Sequence, residues 1–130
     1  MSRGLVLLVD DEPHIPMVVG RKLKAAGFEV VTASDGEEGL AAAQESRPDV
    51  IITDLQMPFM SGAELAEALR ADAQLREIPV VLLTARGYVL PEEEQQASNI
   101  KRFLSKPFSV HQILEVVEEL LDGTEQTEAA

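Results

Sequence analysis

Apolar residues in this chain come in short runs, and the runs lead to polar side chains at their carboxyl ends. Leu5 to Val9 stops at Asp10 and Asp11, Val50 to Thr53 at Asp54, Val80 to Leu83 at Thr84, and Phe103 and Leu104 lead to Lys106. Runs this short and rich in branched residues predict buried strands rather than helices. Between them the spacing changes. Ile15, Val19 and Leu23 recur at i, i+4, i+8 and predict a helix over Glu12 to Ala26, ended by Gly27. Its interior is weak by propensity: Pro16 removes an early backbone hydrogen bond, and Gly20 costs up to about 1 kcal/mol against alanine.

The alternation continues along the chain. Phe28 to Ala33 reads as a second strand, and Ser34, Asp35, Glu37 and Glu38 supply cap oxygens and first-turn acids for a helix that Arg47 and Pro48 end. Ser61 to about Arg70 is helical, Ile78 to Thr84 is a strand, and Pro91 to Ser98 is helical by propensity but nearly all polar. Asn99 suits a left-handed cap, and Lys101 to Leu104 makes a fifth strand. Val110, Ile113, Leu114, Val117, Leu120 and Leu121 then stripe a last helix, closed by Gly123 before a frayed acidic tail. The expected domain is therefore 1–122, with 123–130 as the tail.

Five strand–helix units of this kind predict a parallel sheet covered by helices on both faces. In such a sheet the carboxyl ends of the strands share one edge, where open α/β folds bind ligands. Asp10, Asp11, Asp54, Thr84 and Lys106 would converge there. Three carboxylates, a hydroxyl and an ammonium suit a hard divalent cation and phosphoryl transfer.

Composition removes several alternatives. The 130 residues fit one domain with a proper core. Acids outnumber bases 23 to 11, so a net charge of -12 repels polyanions and argues against nucleic-acid binding. Without cysteine there is no disulfide, thiolate metal site or cysteine nucleophile. The longest apolar run is a strand's length and the N-terminus lacks a signal peptide's apolar region, so a cytoplasmic protein without membrane insertion is expected.

The segments VDDEP at Val9 to Pro13, DLQMP at Asp54 to Pro58 with Gly62, LLTA at Leu82 to Ala85 and SKPF at Ser105 to Phe108 together resemble the receiver domain of two-component response regulators. The similarity covers about Leu5 to Leu121 in order, which makes it far more specific than any single short motif. It implies a flavodoxin-like (βα)5 doubly wound sheet of order 2-1-3-4-5, and transfer of a phosphoryl group from a histidine kinase's phosphohistidine, or from a phosphotransfer protein, to one aspartate.

The residues fit that chemistry individually. Asp54 is the candidate nucleophile, its carboxylate attacking phosphorus to give an aspartyl phosphate. Asp10 and Asp11 beside it would repel it by several kcal/mol at about 4 Å unless a cation intervenes. The resemblance implies Mg2+, held by Asp11, Asp54 and the backbone carbonyl of Gln56, with Asp10 acting mainly through water. Lys106 offers a point charge to a phosphoryl oxygen, and the Thr84 hydroxyl and the Ala85 amide offer donors. The family has a cis bond between this lysine and Pro107, expected here as well. Gln56 and Arg86, each two residues past a site residue, are placed to modulate the lifetime of the phosphoryl group in opposite directions.

Signalling is expected to involve Thr84 and Phe103. In the family an aromatic on the last strand turns inward as the threonine moves toward phosphate, a two-state packing element that remodels the fourth helix, fifth strand and fifth helix. Phe103 as a plain core residue is the other reading. His14 and His111 are assigned to helix surfaces without chemistry. A dehalogenase-like phosphatase would want a second aspartate where Gln56 stands, and a flavodoxin-like electron carrier would want a hydroxyl- and glycine-rich loop where DDEPH stands. An interaction module that keeps the fold without phosphorylation is the harder alternative. The expectation is a stand-alone phosphoacceptor switch, monomeric or dimerising on activation, that catalyses only its own phosphorylation and dephosphorylation and reports to an unidentified downstream protein.

Overall fold

The computed structural model describes residues 2–85 and 99–129, with side chains described through 121. Strands β1 (Leu5–Val9), β2 (Glu29–Ala33), β3 (Val50–Asp54), β4 (Val80–Thr84) and β5 (Ile100–Ser105) form one sheet. The helices described are α1 (His14–Ala25), α2 (Gly36–Ser46), α3 (Gly62–Ala71) and α4 (Val110–Ala129). The strand order is β2-β1-β3-β4-β5, every pairing parallel, which is the doubly wound order the resemblance implied. Arg86 and the polar helix expected over 91–98 lie outside the described residues.

Strand period explains how the sheet is covered. Successive side chains point to opposite faces, so Leu7, Val9, Ile51 and Leu82 pack with Leu65, Ala66 and Leu69 of α3 and Ala43 of α2. Val6, Leu8, Val50, Ile52, Val81 and Leu83 face the other way, onto Val19 and Leu23 of α1 and Ile113, Leu114 and Val117 of α4. β3 and β4 are buried along their whole length. β5, at an edge of the sheet, alternates, with Lys101, Phe103 and Ser105 turned outward.

Local signals set most of the helix ends. Asp35 caps α2 by accepting from the Glu38 amide at 2.8 Å, and Glu38 reaches back to the Ser34 amide at 2.9 Å. Ser61 and Glu64 form a reciprocal capping box on α3. Arg47 leaves α2 in the left-handed conformation, with φ of 46°. α1 starts two residues later than its apolar spacing predicts, because Asp10 accepts from the Glu12 amide at 2.9 Å and holds the chain in a turn. Pro16 is consequently the third residue of α1, where an amide has no partner within the helix, so it costs no helical hydrogen bond after all.

Three further expectations change. α4 runs through Gly123 to Ala129 instead of closing at the glycine, since the Glu, Gln and Ala that follow are good helix formers and offset one glycine. Asn99 is buried rather than a simple cap: its Nδ2 donates to the Ala66 carbonyl at 2.8 Å and its own carbonyl accepts from the Val80 amide at 2.7 Å, tying α3 to the entry of β5. Phe103 is 39% exposed, so in this state it is not a core residue.

Candidate functional site

The carboxyl edge of the sheet gathers the residues singled out above. β1 delivers Asp10 and Asp11, neighbouring β3 delivers Asp54, β4 delivers Thr84, and the turn after β5 delivers Lys106. Because β1 and β3 pair in register, with Val9 opposite Thr53, their terminal acids face each other across the strand ends. One carboxylate oxygen from each of Asp10, Asp11 and Asp54 lies within 4.8 Å of the other two. Lys106 Nζ is 3.7 Å from Asp54 Oδ1, and the Lys106–Pro107 peptide bond is cis.

Electrostatics sharpen the picture. Asp10 is only 3% exposed and Asp54 only 6%, so both carboxylates are largely removed from water. Burial pushes the Asp10 carboxyl up to about 6 from its ordinary 3.8; the Glu12 amide and Lys106 oppose this, while Asp54 and Asp11 add to it. The Asp54 carboxyl is also raised, mainly by burial and further by Asp11, against the pull of Lys106 and the Gln56 and Leu55 amides. Asp10 Oδ1 has the Glu12 amide, but Asp10 Oδ2 is buried without a hydrogen-bond partner. Such an atom costs free energy unless something satisfies it. A divalent cation suits the set: three oxygens of hard ligands, converging, with one lone-pair site left over.

The loop between β3 and α3 is pressed onto the nucleophile candidate. Gly62 donates its amide to the Leu55 carbonyl at 2.8 Å, and a Cβ on Gly62 would sit 2.5 Å from the Asp54 carbonyl oxygen. No side chain fits there, which is why the glycine follows the DLQMP segment. Thr84 is buried with its hydroxyl 3.5 Å from the Leu104 carbonyl, Ala85 is half-buried, and Gln56 is exposed. Among the described residues, the small Ala85 and the exposed Gln56 leave the rim of the site open. Phe103 points outward on β5, the strand beside Thr84. His14 and His111 are exposed on α1 and α4, and His111 Nε2 lies 3.9 Å from Glu115 Oε1.

Two features of this rim escape the sequence reading. Phe59 takes the left-handed conformation, with φ of 71°, and the Met60 amide donates across it to the Pro58 carbonyl at 2.8 Å, closing a three-residue turn. Met60 in turn lies against Gly36, where a Cβ would come within 2.8 Å of it. Neither follows from spacing or hydropathy, though a large aromatic between proline and methionine in the loop is a visible oddity.

Comparison with known proteins agrees with this arrangement. The family model for the response regulator receiver domain matches residues 6–118. The chain is 34% identical to the polar-differentiation response regulator DivK of Brucella anthropi, covering 93% of this chain and 98% of that one. It is 36% identical to the DNA-binding dual master transcriptional regulator RpaA of Synechocystis, covering 93% of this chain and 50% of the relative, so it spans about half the length of such regulators. Among solved structures, the chemotaxis response regulator CheY4 of Vibrio cholerae superposes with a TM-score of 0.82 at 38% identity, covering 92% of this chain and 98% of that chain. No helix among the described residues is long and apolar enough to cross a membrane. With the fold, the strand-end residues and these relatives in agreement, the chain belongs to the receiver domains of response regulators.

Proposed function

We propose that the domain, residues 1–122, is a phosphoacceptor switch in which Asp54 takes a phosphoryl group from a histidine kinase or a phosphotransfer protein. The supporting observation is the placement of Asp54 at the end of the buried central strand, with Lys106 Nζ 3.7 Å away and oxygens of Asp10 and Asp11 within 4.8 Å. An Asp54 carboxylate oxygen attacks phosphorus, the bond from phosphorus to the donor nitrogen breaks, and the electron pair leaves with the imidazole, which takes a proton from solvent. Lys106 carries the charge that faces the transferred oxygens, and Thr84 and the Ala85 amide are the donors on the other strand. Asp11, Asp54 and the Gln56 carbonyl would hold Mg2+, with Asp10 acting through water; when bound, it neutralises the clustered acids and the incoming phosphoryl oxygens.

The output rests on the β4–β5 edge. Thr84 is drawn to the phosphoryl group, and Phe103, exposed in the present state, turns into the space released; β5 and α4, with the helix that the sequence predicts over 91–98, carry the signal that a downstream protein reads. Gln56, exposed beside Asp54, and Arg86 tune how fast water removes the group. The domain acts in the cytoplasm, as a monomer or as a dimer formed on activation.

Incubation with Mg2+ and phosphoramidate tests this. Intact mass should show one added phosphoryl group, absent in Asp54→Asn and absent when the metal is chelated. Labelling that persists in Asp54→Asn or without a divalent cation contradicts the assignment.

A further inference from the structure

Phe59 is 94% exposed, the most exposed of the large apolar side chains among the described residues, and it sits in a backbone conformation that bulky residues rarely adopt. Both properties oppose folding, so the packing of this chain gives no reason for the residue. The turn that holds it is tied at three points: the Met60 amide bonds the Pro58 carbonyl at 2.8 Å, Met60 rests on Gly36, and the loop's return leg bonds through the Gly62 amide to the Leu55 carbonyl. The backbone that carries the ring is therefore held close to Asp54. The two are five positions apart, a chain reach of no more than about 18 Å. An interface of ordinary size covers about 800 Å² on each partner, a patch about 16 Å in radius. A protein seated over Asp54 thus has Phe59 within reach of its footprint.

The surroundings give the partner's chemistry. Pro58, Phe59 and Met60 form one wall of an open cleft of about 280 Å³ whose other wall is Asp35, Gly36 and Glu37. Asp35 is engaged in capping α2, and Glu37 is exposed with no ion-pair partner among the described residues. We infer that Phe59 is a specificity-determining anchor for the protein phosphodonor: it enters an apolar pocket on the donor, whose Lys or Arg side chains border that pocket and face Glu37. Aromatic residues are enriched at interface cores inside a polar rim, and the chain's net charge of -12 favours a donor with a basic docking face. A small phosphodonor, which needs only the acidic cluster and Lys106, makes no use of the anchor.

This inference rests on the phosphoacceptor reading, and the experiment separates the two. Purified, autophosphorylated histidine kinases of the organism that makes this chain are offered to the wild type and to Phe59→Gly, Phe59→Leu and Glu37→Lys. Phosphoramidate labelling and thermal melting are measured on each. Phe59→Gly should lower kcat/KM for the kinase at least about tenfold, chiefly through KM, and Glu37→Lys should also raise KM, while Phe59→Leu retains most of the rate. All variants should label from phosphoramidate at the wild-type rate, and Phe59→Gly should melt no lower than wild type because glycine accepts a positive φ. Kinase transfer to Phe59→Gly at the wild-type rate overturns the anchor. So does a parallel loss of phosphoramidate labelling, or failure of every kinase to phosphorylate the wild type while phosphoramidate does. Failure of phosphoramidate on the wild type contradicts the phosphoacceptor reading itself.

Discussion

Lys106 Nζ stands 3.7 Å from Asp54 Oδ1, bringing the cation after β5 to the acid at the end of β3 from two strands away. The pair is asymmetric, since Asp54 is buried while the lysine side chain is 38% exposed. A partly exposed cation gives a buried carboxylate modest stability but retains the freedom to follow charge onto a phosphoryl group. Lys106→Met should therefore slow labelling by a small phosphodonor about tenfold or more. The same change should raise the Asp54 carboxyl further, because Lys106 is the chief influence that lowers it. Stopped-flow labelling and a carboxyl NMR titration read the two effects. An unchanged rate would remove Lys106 from the reaction.

The acid cluster makes stability depend on pH in a direction opposite to that of salt-bridged carboxylates. Asp10 has its folded value raised to about 6 from 3.8, so between these values the folded chain binds more protons than the unfolded chain. Its contribution to stability is fully present below about pH 4 and is lost as pH rises through about 6. Without divalent cations, Asp10→Asn should be more stable than wild type at pH 7, with the advantage vanishing by pH 4. Urea titrations of both proteins in chelator, compared at each pH, isolate the Asp10 contribution from that of other acids. A pH-independent difference would contradict it.

Metal addition should act on the same cluster with opposite sign. At pH 7, millimolar Mg2+ should raise the melting temperature of wild type by mass action, as RT ln(1 + [L]/Kd), and much less that of Asp11→Ala. Asp11→Ala itself should melt higher than wild type in chelator, since one of three mutually repelling acids is gone. Equal metal-induced shifts in the two proteins would contradict the assignment of Asp11 as a ligand.

Gly62 ties the loop to the nucleophile. With a Cβ at that position only 2.5 Å from the Asp54 carbonyl oxygen, Gly62→Ala must displace backbone, and overpacking of this kind costs about 1–3 kcal/mol. Labelling should fall together with stability, because the strained contact is with the phosphoacceptor residue. Gly20→Ala on α1 is the control: its Cβ would meet Val30 and Leu8 at 3.6 and 3.8 Å, ordinary contact, so stability should hold or rise.

What could be read from the sequence, and what could not, divides along physical lines. Apolar runs such as Leu5 to Val9 and Val50 to Thr53 carry strand identity, and their terminal acids carry the site, because parallel strands share a carboxyl edge whatever the details of the loops. The cap at Asp35 was equally legible, being a short-range matter of oxygen and amide, whereas Ser61, which the spacing puts inside the helix, instead caps α3. Backbone placement was not. The left-handed φ of Phe59, the closeness of Gly62 to Asp54 and the burial of Asn99 against Ala66 depend on how loops return through space. Pro16 looked costly in a helix thought to begin at Glu12 and is harmless in one that begins at His14. Phe103 had two sequence readings, and only its 39% exposure on the edge strand separates them.

Asn99 offers a test away from the chemistry. Its Nδ2 is a second donor to the Ala66 carbonyl, which as a mid-helix group also accepts from the Arg70 amide, while its Oδ1 is buried without a partner, so Asn99→Ala loses one hydrogen bond and relieves one unsatisfied oxygen and should cost about 1 kcal/mol or less in chemical denaturation. The acidic cluster should be untouched, with Mg2+ raising the melting temperature of the variant as much as that of wild type. A cost of about 3 kcal/mol or more would contradict this, showing that the Asn99–Ala66 bond holds β5 against α3.

The central claim is that Asp54, and neither of the acids beside it, receives the phosphoryl group. Borohydride reduces an acyl phosphate of aspartate to homoserine, leaving free carboxylates intact, so the modified position can be read by tandem mass spectrometry of the digested chain. After phosphoramidate and Mg2+ the account predicts homoserine at position 54, with Asp10 and Asp11 unchanged. Homoserine at position 10 or 11, or none at all in a protein whose mass shows the added group, would contradict it.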